Sequence, residues 1–267
     1  MKLDKKILWI ILVGLLLAGC GKDETSPPDD VDDPGDITDL LNYPGVPLSD
    51  IYEVTVTVGS KKEKLAVFKN ACPTYKAGEM NMLDKDRNPL DIFAGRSINW
   101  SYFSLSGTAT IEVKVINQSK VPVSGEVRIL PSRYGIIAAK EGSIVRFTVT
   151  QPGQYSVEIG ENGYKSGLIL FADPTETDIP DPGSTQYRAL KNAAQSDINS
   201  IPASYSGIYF KAGVHNIGVY HVPPNIKNIY FKRGSWVYGS LIMDGNPGVK
   251  IFGRGVLSSG KLNYRES

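Results

Sequence analysis

The chain has 267 residues, of which 41% are hydrophobic and 21% charged, and its formal net charge at pH 7 is +1. This composition is ordinary for a globular protein and leaves room for one or two domains. The positive charge of residues 46–267 is spread too thinly to indicate a nucleic-acid-binding protein, so we expect no nucleic-acid partner.

The first twenty residues have the pattern of a secretory leader. Three lysines precede an apolar run over residues 7–17, which is short for a transmembrane helix and typical of a signal-peptide core. The run leads into Leu-Ala-Gly-Cys at residues 17–20, which resembles the lipobox of bacterial lipoproteins. We therefore expect residues 1–20 to be a lipoprotein signal peptide and Cys20 to carry the lipid anchor. The alternative is a cleaved secretory peptide with an accidental cysteine.

Residues 21–45 are predicted to be a disordered tether. They combine eight acidic residues with four prolines, and such a segment repels itself and buries little apolar surface. Its start, Gly-Lys-Asp-Glu at residues 21–24, resembles the export signal of surface lipoproteins in the Bacteroidetes group. That resemblance implies an outer-membrane lipoprotein exposed at the cell surface. Calcium binding by the acidic run is disfavoured, because the run lacks a spaced loop pattern.

Neither a cofactor nor a metal site is predicted. Asp84, Asp86 and Asp91 are interrupted by Arg87 and a proline, which favours a solvated turn over a metal-binding loop. With Cys20 lipidated, Cys72 is the remaining thiol and has no internal disulfide partner. We interpret it as buried and inert.

Residues 46–175 are predicted to form an antiparallel β-sandwich. Three segments alternate between apolar and polar residues with period two, at 52–58, 110–115 and 143–149. Further strands are predicted at residues 65–68, 127–130, 155–159 and 167–171. Short strands separated by turn residues about every dozen positions are typical of a sandwich.

Residues 176–200 are predicted to be a linker and a short helix. Prolines and acidic residues dominate up to Thr185. Apolar residues then recur at spacings of three and four, which predicts an amphipathic helix: Tyr187, Leu190, Ala194 and Ile198. Because a solenoid must cover its first coil, we interpret this helix as the cap.

Residues 201–267 contain an internal repeat. Ile-Tyr-Phe-Lys-Ala-Gly at residues 208–213 returns as Ile-Tyr-Phe-Lys-Arg-Gly at 229–234, and in weaker form at 250–255, with a step of 21 residues. Further columns share this offset: Gly218, Gly239 and Gly260; Asn225 and Asn246; Phe210, Phe231 and Phe252. Such a period indicates the rungs of a parallel β-helix. The alternative is a β-meander with two similar hairpins.

Several of these stretches resemble glycoside hydrolase family 49, the dextranase and isopullulanase group. Four resemble its N-terminal domain: NWSYF (99–103), VRILPSRY (127–134), GQYSVEI (153–159) and LILFADP (168–174). IYFKAGV (208–214) and IFGRGVLS (251–258) resemble the first coils of pectinase-like enzymes, including polygalacturonases and family 49. The resemblance covers about residues 50–265. It implies an all-β chain, with a sandwich followed by the start of a right-handed parallel β-helix, truncated within its coils.

The resemblance implies a polysaccharide substrate, either an α-glucan such as dextran or a pectin-like polymer. Glycosidic hydrolysis usually needs two carboxyl groups, but from Ile201 onward the acidic residues are Asp244 and Glu266. In the resembled families the catalytic aspartates lie on later coils, so no catalytic residue is assigned. We expect those coils beyond Ser267. Either the chain is the N-terminal piece of a longer enzyme, or the gene has been truncated. Whether this chain is itself an enzyme therefore stays open.

Four aromatic residues are candidates for substrate binding: Trp100, Tyr102, Trp236 and Tyr238. Exposed aromatic rings can stack on the apolar faces of sugars, whereas the alternative for these residues is packing within the sandwich and the rungs. Three functions remain open. They are the N-terminal part of a surface-anchored, inverting glycoside hydrolase, a non-catalytic surface glycan-binding lipoprotein, and a structural or adhesive β-helix stub.

Overall fold

The computed structural model describes residues 45–71, 97–160 and 163–262. All of them belong to one compact unit, residues 32–267. The predictions for the leader, Cys20, the tether, Cys72 and the aspartates between residues 84 and 91 lie outside the described residues. The regular secondary structure of the described residues is almost entirely β, so the predicted class, an antiparallel sandwich followed by a parallel β-helix, is confirmed.

Ten strands form the sandwich. They are β1 (Tyr52–Val58), β2 (Lys61–Leu65), β3 (Phe68–Ala71), β4 (Ser97–Leu105), β5 (Ala109–Val115), β6 (Val127–Leu130), β7 (Ala139–Glu141), β8 (Ile144–Val149), β9 (Gly153–Ile159) and β10 (Leu168–Pro174). One sheet has the order β2-β1-β5-β8-β7 and the other β3-β4-β10-β9-β6. All neighbours are antiparallel except β4 and β10, which pair in parallel from Leu168↔Asn99 to Pro174↔Leu105.

The sandwich core follows from the period-two pattern of its strands. In β5, Ala109, Ile111, Val113 and Val115 are buried, while Thr110 and Lys114 between them are exposed. Inward residues of both sheets form one continuous core, which is the main source of folding free energy.

The predicted strand at residues 65–68 is wrong. The structure ends β2 at Leu65 and begins β3 at Phe68, because the two strands belong to different sheets. Ala66 and Val67 make the crossing and are buried. A continuous apolar run therefore marks a change of sheet here.

The solenoid contains seven strands and a one-turn helix. They are β11 (Tyr187–Leu190), α1 (Gln195–Asn199), β12 (Gly207–Phe210), β13 (Gly213–His221), β14 (Asn228–Phe231), β15 (Ser235–Ile242), β16 (Lys250–Gly253) and β17 (Val256–Ser258). Two parallel sheets result, with the orders β11-β12-β14-β16 and β13-β15-β17.

The helix predicted over residues 187–198 is wrong in its first half. Tyr187–Leu190 is a strand that pairs with Gly207–Phe210, so the parallel stack begins before the predicted residue 201. Asn192, with φ of 49°, separates this strand from α1. Only Gln195–Asn199 is helical, and its Ile198 is buried.

The repeat register is correct for β12 with β14 and for Gly218 with Gly239, but it is wrong at Gly213, which aligns with Ser235, and for the third coil. Ile208 aligns with Ile229 and Phe210 with Phe231, but Phe231 aligns with Gly253 and Tyr230 with Phe252. The second coil, from β14 to β16, is thus one residue longer than the first, and a shift of one residue moves a side chain to the other face of a strand. Phe252 consequently contacts Tyr230 edge to face, with ring centroids 5.2 Å apart.

No helix among the described residues is long and apolar enough to cross a membrane.

Candidate functional site

The four predicted aromatic residues meet between the sandwich and the solenoid. The outer face of β3, β4 and β10 carries Phe68, Trp100, Tyr102 and Phe171, and β15 contributes Trp236 and Tyr238. We call these six residues the seam cluster. Phe68 lies with its ring centroid 4.7 Å from Trp100 and 5.0 Å from Trp236.

Burial differs among the four candidates. Trp236 is 2% exposed, Tyr238 5% and Tyr102 7%, so all three are buried in this structure. Their packing is the alternative that the sequence left open. Trp100 is half-buried, and it alone of the four keeps part of its ring open to solvent.

Polar contacts anchor the seam cluster. The Tyr102 hydroxyl accepts a hydrogen bond from the Gly234 N–H at 3.5 Å, and burial raises the pKa of Tyr102 to about 12. The Tyr238 hydroxyl donates to the Gly45 carbonyl, and burial raises the pKa of Tyr238 as well. Both phenols therefore remain neutral at physiological pH.

Two arginines from successive coils bind carboxylates of the sandwich. Arg233 Nη2 lies 2.8 Å from Glu63 Oε1 on β2, with the two side chains 7% and 18% exposed. Arg254 Nη1 lies 2.9 Å from Asp173 Oδ2 on β10, and its Nη2 donates to the Pro174 carbonyl at 2.6 Å. This pairing was not predicted, although the sequence places an arginine directly before a glycine in both coils.

A groove opens beside the seam cluster at the third coil. Its volume is about 480 Å³, within the range of small-ligand sites. The residues of the sandwich side are Asn70, Ile98, Trp100, Tyr102, Ile169, Phe171 and Asp173, and the solenoid side is residues 253–257. The indole N–H of Trp100 donates to Asn70 Oδ1 at 3.3 Å, which orients the ring at the groove.

The described solenoid, residues 187–262, contains two acidic residues, Asp197 and Asp244. Asp197 Oδ2 accepts the Ala194 N–H at 2.8 Å and so caps α1. Asp244 lies in the turn after β15. Neither is assigned a catalytic role, and among the described residues no cluster of three histidine, cysteine or acidic side chains could hold a metal ion.

Comparison with solved structures identifies a similar fold. Dex49A from Penicillium minioluteum, a family 49 dextranase, matches with a TM-score of 0.61 at 17% sequence identity. The match covers 80% of this chain but 46% of Dex49A, so the chain spans less than half the length of that protein. At this identity the likeness shows the fold alone.

No protein-family model and no curated protein matches the chain.

Proposed function

We propose that the whole protein is a surface-anchored polysaccharide hydrolase of the dextranase type, of which this chain supplies the sandwich and the first coils. The observation that carries the proposal is the fold, since one dextranase shares the sandwich and the β-solenoid over 80% of this chain. The parallel stack provides a rigid surface along which a glycan chain can extend. Hydrolysis would proceed by inversion, with two carboxyl groups on either side of the glycosidic bond.

We assign no catalytic pair of carboxyl groups among the described coils. The proposal therefore places these carboxylates on coils beyond Ser267. It predicts that the reading frame continues with coils of about 20–25 residues carrying two or three aspartates. Sequencing the locus and assaying the complete product on dextran, pullulan and pectin tests this. A stop codon directly after Ser267, or no release of reducing sugar from any of the three, would count against a hydrolase.

The surface anchor is part of the same proposal and rests on Cys20. In the native host, an alkyne fatty acid should label the wild-type protein and leave a Cys20→Ala variant unlabelled. Protease added to intact cells should digest the labelled protein if it faces outward. Labelling of Cys20→Ala, or protection from protease, would contradict the anchor or the exposure respectively.

A second candidate, a non-catalytic glycan-binding protein, is favoured by one observation. The groove beside Trp100 combines a half-buried aromatic ring with polar side chains, which is a composition suited to sugars. Binding without hydrolysis by the complete product would favour this candidate over the first.

A further inference from the structure

We propose that the groove at the third coil binds a neutral oligosaccharide, at a site formed jointly by the sandwich and the solenoid. The inference rests on the proposed function and adds a binding site separate from the coils that would carry catalysis. We define the groove by its wall residues Asn70, Ile98, Trp100, Asp173 and Arg254.

The apolar wall of the groove suits the C–H face of a pyranose ring. Trp100 is half-buried, and Phe171 meets its ring edge-on, with centroids 6.3 Å apart. The other rings packed around Trp100 and its bond to Asn70 hold the indole in one orientation. Ile98, 46% exposed, extends the apolar surface past the indole. A preoriented aromatic ring costs little conformational entropy when a ligand stacks on it.

The polar groups suit hydroxyls rather than ions. The Arg254 guanidinium and the Asp173 carboxylate form an ion pair at 2.9 Å. Their charges cancel, so this pair gives the groove no net charge. The Asp173 side chain is still 35% exposed, and its carboxylate can accept hydrogen bonds from sugar hydroxyls. The exposed Asn70 amide adds N–H donors. A neutral glycan matches this arrangement better than an acidic one, whose carboxylates would meet the Asp173 carboxylate.

The position of the groove makes binding depend on both parts of the fold. Five strands contribute, because β3, β4 and β10 form one wall, and the ends of β16 and β17 with the corner between them form the other. The Arg254–Asp173 pair joins the two walls. A bound sugar would therefore also tie the third coil to the sandwich, and should raise the melting temperature of the chain.

The test is isothermal titration of residues 21–267, without the predicted leader, against two probes. Isomaltohexaose is the neutral probe, and an oligogalacturonate of the same length is the acidic one. We expect the neutral probe to release or absorb heat on binding, and the acidic probe to have a dissociation constant at least tenfold larger. The melting temperature of the chain should rise with isomaltohexaose. No binding of isomaltohexaose by the unaltered chain overturns the proposal.

Two variants locate the site. Ile98→Asp places a charge at an exposed position on the groove wall and should weaken isomaltohexaose binding at least tenfold. Ile137→Asp is the matched control, because Ile137 is 90% exposed and lies at a different cavity; it should bind as the unaltered chain does. Equal affinity for the two variants overturns the groove as the site.

Tryptophan fluorescence gives an independent reading. Residues 21–267 contain two tryptophans, Trp100 and Trp236, and Trp236 is buried. Isomaltohexaose should therefore change the emission of the unaltered chain, and the change should vanish in Trp100→Phe. A persisting change in that variant contradicts the assignment. The complete product could hydrolyse a polysaccharide while Ile98→Asp binds isomaltohexaose as tightly as the unaltered chain does. That result would contradict the groove as a binding site but would leave the proposed function standing.

Discussion

His215 is a buried imidazole with a hydrogen bond on each ring nitrogen. Its Nδ1 accepts the Ala193 N–H at 3.1 Å, and its Nε2 lies 2.8 Å from the Lys211 carbonyl oxygen, to which it donates. These partners define a neutral ring with the proton on Nε2. The side chain thus joins two coils and satisfies backbone groups that would otherwise be buried without partners.

Burial lowers the pKa of His215 below its ordinary value near 6.5, and the Lys211 carbonyl opposes this less strongly. The unfolded chain therefore binds a proton at a higher pH than the folded chain does. The free energy of unfolding should fall as pH drops below about 6.5 and level off below the folded-state pKa. Urea titrations from pH 7.5 to 4.5 measure it.

His215→Gln keeps a donor and an acceptor but cannot titrate. We expect it to be less stable than the wild type at pH 7.5 and to lose this part of the pH dependence. His221→Gln, at an exposed position on the same strand, is the control and should retain it. An unchanged pH profile in His215→Gln would show that another group is responsible.

At the scale of elements, the coil repeat was predictable and its exceptions were not. Residues 208–210 and 229–231 carry the same three residues, and they align in the structure as the repeat predicts. Tyr187–Leu190 shares no residues with these strands, so β11 could be recognised only through its pairing with β12. The extra residue in the second coil, which shifts the register at Phe252, likewise leaves no local mark in the sequence.

The column of Gly218 and Gly239 reflects close packing between neighbouring coils. These glycines align beside a bulge in the pairing of β13 with β15. A Cβ on Gly239 would clash with the Ile217 side chain and the Gly218 carbonyl oxygen of the preceding coil. The backbone there is fixed on both sides by its neighbours, so the clash cannot be relieved cheaply.

Gly239→Ala should therefore destabilise the chain by about 1–3 kcal/mol, the usual cost of overpacking. Gly245→Ala is the matched control, because Gly245 also has positive φ, at 71°, but has nothing within 4 Å of an added Cβ. It should show only the smaller cost of backbone strain. Equal losses in the two variants, measured by chemical denaturation, would show that contact between coils is not the reason for glycine at residue 239.

At the scale of the whole molecule, the sandwich and the solenoid share one apolar interface. Trp236 is packed against Phe68 and Trp100, and Arg233 reaches Glu63 across 170 positions of sequence. No local pattern could have predicted these contacts, because aromatic residues on a strand look alike whether they face solvent or another sheet. Trp100 is half-buried, because it packs in the interface and also lines the groove.

Trp236→Ala should cost about 3–5 kcal/mol, the usual range for a large aromatic removed from a core. Trp236→Phe is the matched control. Phenylalanine keeps most of the aromatic packing against Phe68 and Trp100. We expect it to be much closer to the wild type. Urea denaturation measures both variants, and a loss of stability in Trp236→Ala no larger than that in Trp236→Phe would contradict a shared interface.

The chain order of the seam cluster has a consequence for synthesis. The sandwich is complete once Pro174 has been added, whereas its outer face stays uncovered until the strand with Trp236 follows. During that interval Phe68, Trp100, Tyr102 and Phe171 form an aromatic strip on a freshly folded sheet, which is a surface prone to aggregation. Because this strip precedes the coils in the chain, we expect the solenoid to assemble against it.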